Sequence, residues 1–188
     1  SFRNIGDKIM LSGDLFKIPF YSVPVLNFKQ EKKKKLVNLL RSYPEEKHGI
    51  QTFSTNRQSD RSGLAQGFTQ ILEEEFDMLS QQIKNSCSIE DIWSVTYNKG
   101  DYHSPHNHGS LGLAGILYLD LPNGSSVTNY IQPWNNIQSD TTIYYPLPVS
   151  EGQIVVVPQF VQHFSPPHAA KKGKKRIISW DMNFVQNA

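Results

Sequence analysis

Five of the six histidines fall in two groups, His103, His106 and His108 in one, His163 and His168 in the other. Side chains two apart on a strand share a face, so His106 and His108 would offer two imidazoles to one ion. The third imidazole, His163, comes 55 residues after His108, just past the strand-like run Ile154-Val155-Val156-Val157-Pro158. A pair from one strand and a single from another make three facial ligands and leave coordination positions open. Imidazole suits zinc, iron, copper or nickel.

The flanking residues sharpen this reading. Five residues separate Gly100 from His106, and Gly152 is followed by five residues, then Pro158 and then His163. This spacing resembles the two cupin motifs, G-x5-H-x-H and G-x5-P-x-x-x-x-H, which lie on a metal-binding jelly-roll barrel. The match is partial: Gly112 and Leu113 stand where a cupin glutamate is expected, Phe160 in place of Gly and Pro167 in place of Asn.

The last strand-like run is the other informative segment. At period two, Arg176, Ile178, Trp180, Met182 and Phe184 share one face, and Ile177, Ser179, Asp181 and Asn183 the other. If the apolar face lines a barrel, a guanidinium heads it. A buried guanidinium without a partner is costly and favours bidentate pairing with a carboxylate. No acid on a neighbouring strand is an obvious mate, so a ligand carboxylate is the expected partner; an arginine at the rim beside a basic hairpin is the alternative.

Together, the run Tyr97-Asn98-Lys99-Gly100-Asp101-Tyr102-His103-Ser104-Pro105-His106-Asn107-His108, the distal His163 and then Arg176 resemble the Fe(II)/2-oxoglutarate-dependent dioxygenases. Within that superfamily they are most similar to the prolyl-4-hydroxylase-like branch and to small 2OG-Fe(II) oxygenases of bacteria and phages. The likeness is close over about residues 91–185 and looser before. It implies Fe(II) bound by His106 and His163, and 2-oxoglutarate as small-molecule co-substrate. Dioxygen would be consumed, succinate and CO2 released, and a C–H bond hydroxylated, with a peptidyl proline the first substrate to consider. The resemblance places Arg176 on the distal carboxylate of 2-oxoglutarate. Tyr118, within Gly115-Ile116-Leu117-Tyr118-Leu119, would hydrogen-bond the same molecule, and Tyr97 would line the pocket. Trp134, Tyr102 and His103 are candidate substrate contacts.

Two departures stand out. The usual acidic ligand is His108, which makes the triad three neutral imidazoles and adds a positive charge for dianionic 2-oxoglutarate to offset; Asp101 or His103 could replace it, but neither lies two residues after His106. Ile178 stands where many relatives carry Ser or Thr, leaving that hydrogen bond to Ser179 or Thr96. A three-His cupin metalloenzyme without 2-oxoglutarate (dioxygenase, isomerase or zinc hydrolase) and a non-catalytic binding barrel stay open as alternatives.

Elements must bring these residues together. The segment Leu15-Phe16-Lys17-Ile18-Pro19-Phe20-Tyr21, then Val23-Pro24-Val25, reads as extended, and its prolines confine it to a sheet edge. Residues 30–42 read as a helix with Leu36, Leu39 and Leu40 on one face, and Lys32 to Lys35 as its solvated surface. A longer helix follows from Ser62 as N-cap. Its stripe is Leu64, Phe68, Ile71, Leu72, Phe76, Leu79 and Ile83, with Glu73, Glu74 and Glu75 facing solvent, and it needs a sheet to lie against. Short strands are expected at 91–97, 111–121, 127–132, 141–146, 153–158 and 176–185. A rim loop over 122–145 carries Tyr130, Trp134, Tyr144 and Tyr145, and Lys171, Lys172, Lys174 and Lys175 form a basic hairpin tip. The expected class is α+β: a double-stranded β-helix, a jelly-roll cupin-like barrel, buttressed by N-terminal helices. It forms one domain over 1–188, with 1–90 as support and 91–188 as metal-binding core.

Composition sets the outer bounds. At 188 residues, 38% hydrophobic and 19% charged, the chain fits one folded domain and excludes a disordered tail or coiled coil. Nineteen basic against 17 acidic residues leave a net charge of +2, so nucleic acid is not a favoured partner; a peptide or protein substrate is what the resemblance implies as an option. A single cysteine, Cys87, allows no internal disulfide. No run reaches the ~18 apolar residues of a membrane span, and Ser1 to Lys8 holds no signal-peptide core. A soluble, cytoplasmic chain is expected, with the start at Ser1 in place of Met leaving room for a removed upstream segment.

Overall fold

Both faces of the long strands in the second half are buried, which requires a layer on each side of one sheet. The computed structural model describes residues 2–5, 8–11, 17–47 and 51–185. A hairpin of β1 (Phe2–Ile5) and β2 (Lys8–Leu11) is followed by β3 (Tyr21–Pro24), a π-helical turn Phe28–Lys32 and α1 (Lys33–Leu40). After β4 (Ser54–Thr55) come α2 (Leu64–Ile71) and α3 (Glu73–Ile83). The remaining strands are β5 (Cys87–Tyr97), β6 (His103–His106), β7 (Leu113–Asp120), β8 (Asn129–Ile131), β9 (Tyr144–Pro146), β10 (Gln153–Pro158), β11 (His163–Ser165) and β12 (Lys175–Phe184).

The major sheet runs β3-β10-β7-β12-β5-β4 and the minor sheet β6-β11-β8-β9, with antiparallel pairing throughout both. This is the expected helix-buttressed jelly roll. The extended N-terminal segment reaches the major sheet as its edge strand β3, as its prolines require; Leu15 and Phe16 lie outside the described residues.

Period-two alternation divides the core in two. One face of the major sheet contributes Ile92, Leu117, Leu119, Ile154, Val156, Ile178, Trp180 and Met182 to a cluster with Leu36, Leu64, Phe68, Leu72 and Leu79 from the helices. The stripe expected to need a sheet therefore has one. The opposite face places Trp93, Val95, Tyr97, Ile116, Tyr118, Val155 and Ile177 between the two sheets, against Tyr130 and Val161. Gly115 pairs with Trp180 across β7 and β12, and a Cβ there would lie 2.1 Å from the indole ring. Its missing side chain is what lets the tryptophan lie flat beneath α2 and α3.

Three local expectations are corrected. The second helix starts after Gly63, at φ +82, without a side-chain cap from Ser62, and Leu72 divides it into α2 and α3. Glu75 is fully buried, not solvent-facing: it accepts from Lys32 Nζ at 2.8 Å and from the Leu26 N–H at 2.8 Å. The lysine run is solvated only in part, at Lys34 and Lys35. Lys32 is buried against Glu75, and Lys33 bridges Asp120 at 2.7 Å and Glu151 at 2.8 Å. Both sit where α1 meets other elements, and a buried charge persists only when paired.

Candidate metal centre

His106 ends β6 and His163 opens β11, and the two are register partners across that antiparallel pair. His108 lies two residues past the end of β6, so strand alternation does not orient it; its backbone N–H bonds Gln159 O at 3.0 Å. The three rings converge between the sheets, with ligand nitrogens within 4.8 Å of one another. Ring centroids are 4.5 Å apart for His106 and His163, 5.1 Å for His108 and His163, and 5.4 Å for His106 and His108. The glycines that open the two motifs turn the chain at positive φ, +86 at Gly100 ahead of β6 and +84 at Gly152 ahead of β10. At Gly152 a Cβ would also strike the Phe28 ring at 2.8 Å.

Hydrogen bonds settle which nitrogen each ring presents. His106 Nδ1 donates to Ser104 O at 2.8 Å and His163 Nδ1 to Val161 O at 3.1 Å. His108 Nδ1 donates to the Asp181 carboxylate at 2.5 Å. With every Nδ1 engaged by an acceptor, every Nε2 keeps its lone pair for a metal. Burial, then the neighbouring rings, pushes His163 down to about 3, and burial also lowers His106. Neutral imidazoles are the form that ligates.

His103 is stacked on His106 with centroids 3.9 Å apart and packs on Phe53 at 4.5 Å. It lines the cavity but is not one of the three convergent rings. Asp101 is not a ligand either; it accepts from the Asn98 backbone N–H at 2.8 Å and closes a turn. His168 is buried away from the cluster, its Nε2 on Gly173 O at 3.4 Å.

The arginine expectation is overturned by the way the faces are covered. The apolar face of β12 that Arg176 heads is the helix-facing side of the major sheet, not the barrel interior. Arg176 is about a third exposed and pairs through Nε with Asp120, its register partner on β7. The acid that seemed absent is therefore there, in an outer groove shared with Glu45, Glu151 and Lys174. The cavity face of β12 carries Ile177 and Ser179, continued by Asp181, so Ile178 faces away and Thr96 lines the outer groove.

Lys175 leads that inner face, not a solvated hairpin tip. It is 1% exposed, its ammonium 4.1 Å over the Tyr97 ring. It donates to Ser165 Oγ, and to Ser126 O at 3.0 Å. Burial pushes it down to about 7. Tyr97 and Tyr118 are buried beside it in the inter-sheet core, each held above its ordinary value chiefly by burial, with Ser165 bonded to Tyr97 and Thr128 to Tyr118. Tyr130 lies 5.8 Å ring to ring from His163, and its buried hydroxyl has no partner among the described residues. Sequence reasoning missed Lys175, Tyr130 and Asp181; the period-two pattern of β12 was the available signal for the first and last.

The remaining space between the three rings, Tyr97, Ser165 and Ser179 is ≈ 20 Å³, room for one water-sized body. At the outer side Arg57 stacks 4.0 Å over Trp93, which in turn stacks on His108 at 5.4 Å. Trp134 and Tyr145 belong to a separate apolar groove of ≈ 290 Å³ with Phe20 and Leu147. Tyr102 is exposed, with its backbone N–H and carbonyl both held by Thr52.

No family model and no curated protein sequence matches the chain. Solved structures do. A 2OG-Fe(II) oxygenase family oxidoreductase from Burkholderia pseudomallei superposes with a TM-score of 0.64 at 11% identity, over 87% of this chain and 84% of that one. The fold is that of the 2OG-Fe(II) oxygenases. HygX from Streptomyces hygroscopicus, with nickel, 2-oxoglutarate and hygromycin B bound, is similar at a TM-score of 0.62 and 10% identity, covering 88% and 83%. A Pseudomonas putida prolyl-4-hydroxylase gives 0.54 at 11%, over 88% and 93%. Within this fold, the chain sets three convergent imidazoles between the sheets. No helix among the described residues is long and apolar enough to cross a membrane.

Proposed function

We propose that the chain is an Fe(II)- and 2-oxoglutarate-dependent dioxygenase that hydroxylates a C–H bond, with His106, His108 and His163 holding the metal through Nε2. The carrying observation is that three lone-pair-bearing Nε2 atoms line one inter-sheet cavity whose wall residues Tyr97 and Ser165 also contact a buried lysine. The donor set fits: neutral imidazoles accept iron, and an interior ammonium suits a carboxylate. When bound, Fe(II) and 2-oxoglutarate supply dioxygen activation, with succinate and CO2 as co-products and a hydroxyl inserted into substrate.

The protein's own part is positioning. Lys175 takes the role first expected of Arg176, binding the distal carboxylate of 2-oxoglutarate as it releases Ser165. Tyr130 donates its hydroxyl to the same group, Tyr118 and Tyr97 wall it from water, and Ser179 supplies a further polar contact. The ≈ 20 Å³ cavity means these side chains move apart to admit the co-substrate. His103 and Tyr102 flank the mouth where substrate would enter. Trp134 lies in the neighbouring groove, where a longer substrate such as a prolyl peptide could extend.

The test is anaerobic addition of Fe(II) and 2-oxoglutarate, reading the visible metal-to-ligand charge-transfer band. Lys175→Met should weaken 2-oxoglutarate binding by about 10- to 100-fold, the value of a charge-assisted pair, while Arg176→Ala leaves it unchanged. A metal-loaded protein with no band would favour the second reading, a three-His cupin metalloenzyme without 2-oxoglutarate, to which the small cavity and the missing carboxylate ligand also point. Peptidyl proline as substrate is checked by mass shift of prolyl peptides after turnover.

A further inference from the structure

We infer that Asp181 is a positioning residue for the metal centre, returning through His108 the negative charge that an all-imidazole triad lacks. This rests on the metal-centre reading above. Asp181 is 8% exposed on the cavity-facing side of β12, and His108 Nδ1 lies 2.5 Å from its Oδ1. The nearest cation recorded for it is the Arg57 guanidinium, at 4.0 Å and half-exposed. A buried carboxylate needs a close partner, and the imidazole N–H is the close one.

The other two ligand rings donate Nδ1 to backbone carbonyls, of Ser104 and Val161; His108 alone donates to an anion. Three neutral imidazoles leave a divalent ion with its full double charge, where a carboxylate ligand would remove one unit. Asp181 supplies that unit one imidazole away. It also fixes the ring so that Nε2 faces His106 and His163, and it raises the basicity of that nitrogen. The stack of His108 on Trp93, 26° from parallel, holds the ring's plane, so the hydrogen bond decides which edge turns inward.

The experiment is a Co(II) titration followed by the visible d–d bands, with chelator competition for the affinity, on the full chain. Asp181→Ala, which removes charge and acceptor, should raise the Co(II) Kd by about 10- to 100-fold, the range for loss of such an outer partner. Asp181→Asn keeps an acceptor without the charge and should fall between. In a His108→Asp background the metal receives its carboxylate directly, and Asp181→Ala should then change Kd by less than about threefold. An affinity for Asp181→Ala within about twofold of the unaltered chain, or an equal loss in both backgrounds, would overturn the inference. Should His108→Asp fail to fold by circular dichroism, two-bond ¹H–¹⁵N spectra of the metal-free chain decide instead. The Nδ1–H tautomer of His108 supports the inference, and an Nε2–H tautomer overturns it. If the unaltered chain takes up no Co(II), the metal-centre reading itself fails, an outcome distinct from uptake that is indifferent to Asp181.

Discussion

Lys175 and Arg176 are adjacent in sequence and opposite in consequence. One carries an ammonium into the inter-sheet cavity, the other an ion pair on the outer rim. Because burial lowers Lys175 from its ordinary 10.5 to about 7, the unfolded chain binds one more proton than the folded chain between those values. Stability of the metal-free protein should therefore rise with pH from about 7 towards 10, and Lys175→Met should flatten that slope in thermal melts across the window. A carboxylate in the cavity reverses the effect by favouring the charged form. Binding of 2-oxoglutarate above pH 7 should then take up a proton, read by calorimetry in buffers of different ionisation enthalpy.

At the scale of elements, the helices are fastened to the sheet by charge as well as by their apolar stripe. The Lys32–Glu75 pair joins the π-helical turn ahead of α1 to α3, and Glu75 also caps the Leu26 N–H after β3. Lys32→Met leaves a fully buried carboxylate uncompensated and should cost about 3–5 kcal/mol, measured by urea unfolding. Adding Glu75→Gln should recover part of the loss, since the amide oxygen still accepts from Leu26. None of this was legible from residues 30–42 and 62–83 alone. A lysine run and a glutamate run on amphipathic helices look solvated until the packing of a third element shows which members are covered. The strands fared better, because the six short segments set off by turn signals each became a strand. The strand expected to carry both His106 and His108 ends at His106, and β11 was not foreseen; both are short, and His106 and His163 pair across them in place of apolar residues.

For the whole molecule, the metal would be a cross-brace. Its ligands come from the minor sheet and the segment after β6, while Asp181 and Trp93 behind His108 belong to β12 and β5 of the major sheet. Metal at 1,000 times its Kd should add about 4 kcal/mol, or roughly 8–16 °C in Tm for a chain of this size. Chelation should reverse the shift in a thermal melt and loosen β6 and β11 first in hydrogen exchange. The long β12–β5 pairing, which does not depend on the ion, should stay protected.

What the chain of residues determined unaided was local and periodic. Two glycine-led histidine motifs, a helical stripe that had to meet a sheet, and a final strand with two distinct faces all follow from spacing. Which face of that strand was interior did not. Alternation separates Lys175, Ile177, Ser179 and Asp181 from Arg176, Ile178, Trp180 and Met182, but both faces are buried, one by the helices and one by the minor sheet. The more apolar face went to the helices because they present only hydrocarbon there. The face bearing a lysine, a serine and an aspartate went to the inter-sheet side, where His108, Ser165 and the Ser126 carbonyl give Asp181 and Lys175 their partners. Only the packing of distant elements could make that assignment, and it moves the proposed anchor for the co-substrate by one residue.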